Sequence, residues 1–200
     1  MDTEMPTRQP MLLYIHGFNS SPLSHKAQVM VKYCQMQRPD IKVMVPKLPS
    51  FPAQAAEYLL DLIHQHQHQD QYRIALVGSS LGGYLSIWLN HLFGFRAVVI
   101  NPAIKPYELL VNFLGEQVNP YTQEHYRLEA KHIEELKALE VKINDVTSFW
   151  LLQQMGDEVL DYRQAVAKLA GAKQTVEFGG DHSFVNFERY PRQIIEFLDL

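Results

Sequence analysis

The sequence predicts an α/β fold, in which a mostly parallel six-stranded sheet carries helices on both faces. Two observations support this prediction. Short apolar runs bounded by Gly, Pro, Asn or Asp recur along the chain, which is typical of parallel strands buried on both faces. Helical stretches alternate with these runs, and such alternation favours a parallel sheet over other sheet types.

The strand candidates are rich in Val, Ile, Leu or Phe, and they are Met11–Ile15, Ile41–Val45, Arg73–Val77, Ala97–Ile100, Ser148–Gln153 and Thr175–Phe178. The helix candidates are Ser24–Gln35, Pro52–His66, Leu81–Phe93, Leu160–Leu169 and Pro191–Leu200. Pro52 suits the first turn of its helix, where the missing N–H group is harmless.

Length favours one domain, because the chain has 200 residues and domains run to about 100–200 residues. We expect residues 1–10 to form a disordered tail and residues 11–200 a single domain. The segment 102–147 has no convincing strand and is too long for a simple crossover. It carries a helical pattern over Tyr126–Leu139. A small helical cap or lid above the active site would have this pattern, and so would a plain surface excursion.

Composition excludes several classes of partner. The net charge of −4 and the lack of a clustered basic face argue against nucleic acid. No apolar run approaches the ~20 residues of a membrane span, and the N-terminus lacks signal-peptide features, so we expect a cytoplasmic protein. The single cysteine, Cys34, excludes an internal disulfide. The histidine-rich run at residues 64–69 lies at a polar helix end and has no Asp, Glu or Cys arranged to complete a ligand set, so we expect no metal site there.

The stretch Arg73–Gly83 holds the strongest functional signal, the motif G-x-S-x-G with Ser80 at its centre. A predicted strand ends before the motif and a predicted helix begins after it. This is the context in which a sharp turn presents a nucleophilic serine in the α/β-hydrolase fold. Ser79 is the weaker candidate, because no Gly lies two residues before it. The sequence therefore predicts an α/β-hydrolase fold with Ser80 as nucleophile.

A second signal follows the first strand, where His16-Gly17-Phe18 comes directly after an apolar run. In this fold the corresponding loop supplies one donor of the oxyanion hole, and the residue after the nucleophile supplies the other. We therefore expect the backbone N–H groups of Phe18 and Leu81 to be the donors. His16 is interpreted as a structural residue of this loop.

A serine nucleophile needs a histidine base oriented by a carboxylate, and the chain order in this fold is Ser, acid, His. His182 lies in a Gly-rich loop after the last strand, where the base belongs. The acid should follow the preceding strand, and Asp157 is preferred there. Glu158 and Asp161 remain alternatives.

The motifs together resemble the YqiA-like esterases, a family of small bacterial α/β-hydrolases. The resemblance spans residues 11 to 200 and rests on Tyr14–Pro22, Gly78–Gly83, Asn101–Ala103, Gly156–Tyr162 and Gly180–Phe184. It implies esterase activity on acyl esters or thioesters, no cofactor, and a catalytic triad of Ser80, Asp157 and His182.

The leading hypothesis is thus a serine hydrolase that cleaves carboxylic esters or acyl thioesters through an acyl-enzyme. An acyltransferase on the same triad and a non-catalytic binding protein are the alternatives. The apolar residues Phe113 and Leu114 are candidates for an acyl pocket, since small-molecule sites are largely apolar. The expected partner is a small-molecule ester or thioester, and the sequence makes no prediction of oligomeric state.

Overall fold

A computed structural model describes residues 8–67 and 71–200 of the chain. Eight strands are described: β1 (Gln9–Ile15), β2 (Lys42–Met44), β3 (Tyr72–Ser79), β4 (Ala97–Ile100), β5 (Gly115–Val118), β6 (His125–Leu128), β7 (Phe149–Gln154) and β8 (Lys173–Glu177). Seven α-helices are described: α1 (His25–Gln37), α2 (Pro52–Gln67), α3 (Leu81–Phe93), α4 (Pro106–Leu110), α5 (Ala130–Ala138), α6 (Tyr162–Lys168) and α7 (Pro191–Leu198).

The main sheet has six strands in the order β2-β1-β3-β4-β7-β8, and every neighbouring pair is parallel. The predicted α/β fold is therefore confirmed, and the predicted bounds of these six strands are within two residues of those observed. The strand β1 begins at Gln9, inside the segment predicted as a disordered tail. Residues 1–7 of that segment, and His68 of the histidine-rich run, lie outside the described residues.

Alternate residues of the central strands pack into two separate cores. One face of the sheet, with Leu13, Leu76 and Val99, is covered by α2, α3 and α6. The opposite face, with Leu12, Val77 and others, is covered by α1 and α7. Because successive side chains of a strand point to opposite faces, a strand that is apolar throughout needs helices on both sides.

The segment 102–147 differs from its prediction. It contains the predicted helical elements, α4 and α5, and also the antiparallel hairpin β5–β6, so the expectation that it holds no strand is wrong. Residues 126–128, predicted as the start of a helix, belong instead to β6, whose side chains alternate between exposed and buried. Such a short alternating run gives a weak strand signal in sequence, and its pairing with β5 decides the structure.

This segment lies over the loop that follows β1. Its apolar residues, including Leu110, Tyr126 and Leu136, form a third core with Phe18 and Leu81 packed against it. The Tyr126 hydroxyl donates to Asn19 Oδ1 at 2.6 Å, which ties the hairpin to the loop after β1. The segment therefore covers the carboxyl edge of the sheet near Ser80.

Candidate active site

Ser80 occupies a sharp turn between β3 and α3. Its backbone is in a rarely populated conformation, with φ 56° and ψ −121°, which is strained for a residue with a side chain. The turn is closed by very close backbone approaches. A Cβ atom at Gly78 would lie 2.2 Å from the Gly82 carbonyl oxygen, and one at Gly82 would lie 1.9 Å from the Ile15 carbonyl oxygen. Both glycines are thus required by the geometry that presents Ser80.

The structure brings together the three residues predicted as a triad. His182 Nε2 lies 3.1 Å from Ser80 Oγ, and His182 Nδ1 lies 2.8 Å from Asp157 Oδ2. These residues follow β3, β7 and β8, whose carboxyl ends lie at one edge of the sheet. In this arrangement a proton on Nδ1 is held by Asp157, which leaves Nε2 free to accept the proton of Ser80.

The geometry also separates Asp157 from its two alternatives. The Asp157 side chain is 0% exposed, and its Oδ1 accepts hydrogen bonds from the backbone N–H groups of Val159 and Leu160, each at 2.9 Å. Glu158 contacts the histidine loop differently, since its Oε2 accepts from the backbone N–H of His182 at 3.0 Å. Asp161 accepts from the backbone of Arg163 and caps α6.

The backbone N–H groups of Phe18 and Leu81 flank Ser80. Among the described residues, neither group has a hydrogen-bond partner. Leu81 is the first residue of α3, where a helix leaves its N–H groups unsatisfied. A Cβ atom at Gly17 would lie 3.1 Å from Ser80 Cβ, so the loop approaches the serine closely. Two free donors at this position can bind a developing oxyanion.

His16 holds this loop in place. Its Nε2 accepts from the Leu48 N–H at 3.2 Å and its Nδ1 donates to the Gly17 carbonyl oxygen at 3.0 Å. Burial lowers the pKa of His16, and the hydrogen bond to Gly17 only partly offsets that effect. A neutral His16 with its proton on Nδ1 satisfies both contacts, in agreement with a structural role.

The other three histidines that follow Ser80 in the chain have different surroundings and make no hydrogen bond to it among the described residues. His91 binds the Lys142 carbonyl oxygen at the end of α3, and the buried His132 stacks on Phe51 and caps α5. His125 is exposed in β6.

A buried polar network positions the loop that carries His182. The Asn101 amide, fully buried at the end of β4, donates to the carbonyl oxygens of Asp181 and His182 at 2.9 and 3.1 Å. Asn101 Oδ1 accepts from the Gln153 side chain and the Gln154 backbone. Because a buried amide with all its hydrogen bonds made is rigid, Asn101 limits the movement of the histidine loop.

Gln154 extends this network to the other side of the loop. Its Oε1 accepts from the backbone N–H groups of Asp181 and Val185, and its Nε2 donates to Glu177 at 2.8 Å. No site role was predicted for Asn101, Gln153 or Gln154 from the sequence. The sequence does carry a signal for them, because these polar residues stand at the carboxyl ends of two otherwise apolar strands, β4 and β7.

Two chambers share the loop after β1, residues 16–20, and Ser80 lines only the second of them. The apolar chamber has a free volume of about 40 Å³ and lies between the loop after β1 and the cap; its lining includes Phe18, Phe51, Leu81, Leu110, Tyr126 and Leu136. The polar chamber has a volume of about 490 Å³; its lining includes Tyr14, Lys26, Ser80, Asp181, His182 and Asn186.

The predicted acyl-pocket residues Phe113 and Leu114 do not line either chamber among the described residues. They are 40% and 42% exposed, because the chain leaves α4 through an exposed 3-10 turn at Val111–Phe113. The Phe113 ring contacts Phe18 edge-on, with centroids 5.9 Å apart, so it lies behind the oxyanion loop. Leu110, the last residue of α4, lines the apolar chamber in their place.

Comparison with known proteins places the chain in a family. The model of the uncharacterised protein family UPF0227 matches residues 11–199. The chain belongs to the UPF0227 family. This is the YqiA family, so the predicted family resemblance is confirmed. A UPF0227 protein of Pasteurella multocida is 29% identical over 129 residues, which is 64% of this chain and 67% of that protein. A UPF0227 protein of Shewanella baltica is 25% identical over 162 residues, which is 80% of this chain and 83% of that protein.

Solved structures share the fold of this UPF0227 protein. Est1E from Butyrivibrio proteoclasticus superposes with a TM-score of 0.72 and 14% identity, over 96% of this chain and 88% of that one. A protein from Agrobacterium vitis described as a putative hydrolase superposes with a TM-score of 0.69 and 20% identity, over 95% of this chain and 88% of that one. The predicted α/β-hydrolase fold is therefore confirmed. No helix within the described residues has the length and apolar character needed to cross a membrane.

Proposed function

We propose that this UPF0227 protein is a serine hydrolase that cleaves carboxylic esters or acyl thioesters through an acyl-enzyme. The observation that carries the proposal is the hydrogen-bonded chain from Ser80 Oγ through His182 to the buried Asp157 carboxylate. A serine hydroxyl is a weak nucleophile by itself, and a neighbouring base held by a carboxylate activates it. The strained backbone of Ser80 supports the same role, because strain of this kind clusters at functional sites.

The proposed reaction has two steps. His182 Nε2 takes the Ser80 proton while Oγ attacks the carbonyl carbon, and the N–H groups of Phe18 and Leu81 bind the oxyanion. His182 then returns the proton to the leaving oxygen or sulfur, which departs as the alcohol or thiol and leaves acyl-Ser80. His182 then takes a proton from a water molecule, which attacks the acyl carbon. The bond between that carbon and Ser80 Oγ breaks, His182 returns the proton to Oγ, and the carboxylic acid leaves.

The apolar chamber is the proposed site of the acyl chain. It is lined by Phe18 and Leu81, the two residues whose N–H groups would hold the carbonyl oxygen, so the acyl group is bound next to that oxygen. Its free volume of about 40 Å³ admits a short chain, and longer chains require the cap side chains to move.

Labelling with a fluorophosphonate probe tests the proposal, because the probe reacts with an activated serine. Wild-type protein should be labelled and Ser80→Ala protein should not, while Ser79→Ala remains labelled as the matched control. Release of free acid from p-nitrophenyl esters and acyl-CoA thioesters, without an added acceptor, should fall on the order of 10⁶-fold in Ser80→Ala. Labelling that survives in Ser80→Ala, or acyl transfer to an added acceptor with no release of free acid, would contradict a serine hydrolase.

A further inference from the structure

The loop after β1, residues 16–20, carries Phe18, which supplies one of the two proposed oxyanion donors. Side chains rather than strand pairing hold this loop, because β1 has already ended at Ile15. Asn19 has a φ of 48°, in the left-handed region that a residue with a side chain rarely adopts. Such a conformation persists only where the surrounding structure holds it. The contacts around the loop therefore decide where the Phe18 N–H points.

One support of the loop comes from His16. The Gly17 carbonyl oxygen accepts from His16 Nδ1 at 3.0 Å, and this carbonyl belongs to the same planar peptide unit as the Phe18 N–H. A hydrogen bond to the oxygen of that unit also orients its N–H group, which points the opposite way. His16 thus fixes the donor from the side of β1, and the remaining freedom lies in the residues that follow Phe18.

The second support comes from the cap, residues 102–147. The Tyr126 hydroxyl donates to Asn19 Oδ1 at 2.6 Å, and Asn119 Nδ2 donates to the Ser20 carbonyl oxygen at 3.0 Å. Tyr126 and Asn119 are both only 8% exposed. Because a buried polar group loses stability when its partner is removed, these contacts hold the loop more firmly than exposed hydrogen bonds would.

Both cap residues are themselves fixed within the segment of the hairpin β5–β6. Asn119 Oδ1 accepts from the backbone N–H groups of Tyr121 and Thr122 at 2.9 and 3.2 Å, which sets the direction of its NH₂ group. Burial raises the pKa of Tyr126 to about 12, and the charge of Glu124 adds to the shift. The Tyr126 hydroxyl therefore stays protonated and remains a donor near neutral pH.

Small displacements of this loop matter for the chemistry. An oxyanion donor must lie about 2.7–3.1 Å from the position that the oxyanion takes. A misplacement of about 1 Å in an active site can lower the rate on the order of 10²-fold. Phe18 lies directly between the residue held by His16 and the residue held by Tyr126. Loss of the contacts from the cap would leave the donor supported from one side only.

We propose that Tyr126 and Asn119 are positioning residues for catalysis: from the cap they hold residues 19 and 20, and so keep the Phe18 N–H aimed at the oxyanion. They act through the loop and touch no reacting atom. The cap is then a fixed support of the oxyanion hole as well as one wall of the apolar chamber. This inference rests on the proposed serine-hydrolase function and adds to it the residues that position one donor.

The change Tyr126→Phe tests the proposal with p-nitrophenyl propionate as substrate. It keeps the ring and removes only the hydroxyl that holds Asn19. Because acylation and deacylation both pass through an oxyanion, kcat should fall about tenfold while KM stays within about twofold of wild type; complete removal of one donor costs roughly 10²–10³ in kcat. Tyr107→Phe is the matched control, since its hydroxyl donates to Glu140 at 2.7 Å within the cap. It should keep the wild-type kcat.

Inhibition by ethyl trifluoromethyl ketone distinguishes a positioning role from a merely structural one. Ser80 Oγ adds to the ketone carbon, the Ser80 proton passes to His182, and the ketone oxygen becomes an oxyanion at the same N–H donors. The inhibition constant of Tyr126→Phe should therefore rise by about the same tenfold factor by which kcat falls. A tyrosine that only stabilises the fold would lower the melting temperature and leave kcat and the inhibition constant unchanged.

Asn119→Ser is the second variant. A serine hydroxyl can still accept from a backbone N–H in this turn, but it is too short to reach the Ser20 carbonyl oxygen. The variant should lower kcat and weaken ketone binding in the same direction as Tyr126→Phe. Circular dichroism verifies that both proteins are folded.

The outcomes distinguish the two proposals. Wild-type kcat and ketone inhibition in both folded variants would overturn the positioning role and leave the serine-hydrolase proposal standing. A raised KM with unchanged kcat would overturn it too, because Tyr126 would then contact substrate in the apolar chamber instead. If wild-type protein hydrolyses no p-nitrophenyl ester and is not labelled by a fluorophosphonate, the proposed function fails and this inference fails with it.

Discussion

The choice of Asp157 as the acid is tested by exchanging single carboxylates for amides. In Asp157→Asn the carboxamide oxygen should take the place of Oδ1, since that atom accepts from the N–H groups of Val159 and Leu160. The NH₂ group then takes the place of Oδ2, 2.8 Å from His182 Nδ1. Oδ1 also lies near Nδ1, at 3.0 Å, but the NH₂ group is a donor at the shorter of the two contacts. That contact favours Nδ1 as an acceptor, with the histidine proton on Nε2. His182 then cannot accept the Ser80 proton.

The expected loss is large for this reason. The same exchange in another triad lowers kcat roughly 10⁴-fold, equivalent to about 5.5 kcal/mol of transition-state stabilisation. In Glu158→Gln the new amide oxygen can still accept from the His182 backbone N–H, so only the charge on that contact is lost. At an exposed position a charged hydrogen bond is only modestly stronger than a neutral one. We therefore expect Glu158→Gln to lower kcat/KM about fivefold or less.

The assay is kcat/KM for p-nitrophenyl acetate, with Asp161→Asn as a third variant and circular dichroism to verify that each protein is folded. Asp157→Asn should be impaired far more than the other two. If Glu158→Gln or Asp161→Asn is the crippling change in a folded protein, the proposed proton path through Asp157 is wrong.

Three further predictions concern the surroundings of the triad. Asn101→Ala leaves the Asp181 and His182 carbonyl oxygens and the Gln154 N–H without their partner. It should therefore lower the free energy of unfolding, measured by urea titration, by about 3 kcal/mol. It should also lower kcat more than it raises KM. Burial would raise the pKa of Glu177, but hydrogen bonds from Tyr190, Gln154 and Arg189 outweigh it and lower that pKa. The resulting stability is present above the unfolded value of about 4.3 and is lost as pH falls through the folded pKa, so the melting temperature of Glu177→Gln should drop less than that of wild type between about pH 5 and pH 3. Finally, kcat/KM should rise with acyl length, because each buried methylene contributes about 0.8 kcal/mol, and should level off as the apolar chamber fills. Leu110→Ser should weaken this dependence more than Phe113→Ser or Leu114→Ser. An equal effect of all three substitutions would argue against the chamber as the acyl site.

Much of this protein follows from its sequence, because the relevant signals are local. A buried strand must be apolar on both faces, and a tight strand-to-helix turn needs Gly78 and Gly82. Both requirements can be read from neighbouring residues. The sheet, the turn at Ser80 and the loop of His182 were predicted on this basis. The hairpin β5–β6 was missed because each strand has four residues, and only pairing stabilises them.

The tertiary structure decided the contacts between residues that are distant in the chain. The sequence favoured Asp157 and kept Glu158 and Asp161 as alternatives, and only the 2.8 Å contact with His182 Nδ1 distinguishes the three carboxylates. Tyr126 and Asn119 had no visible link to Ser80. A tyrosine and an asparagine in a polar segment are ordinary in sequence, and only the packing of the hairpin β5–β6 on the loop after β1 brings their side chains to that loop. Hydrogen bonds and cavities depend on distances of a few ångströms, and chain packing sets those distances.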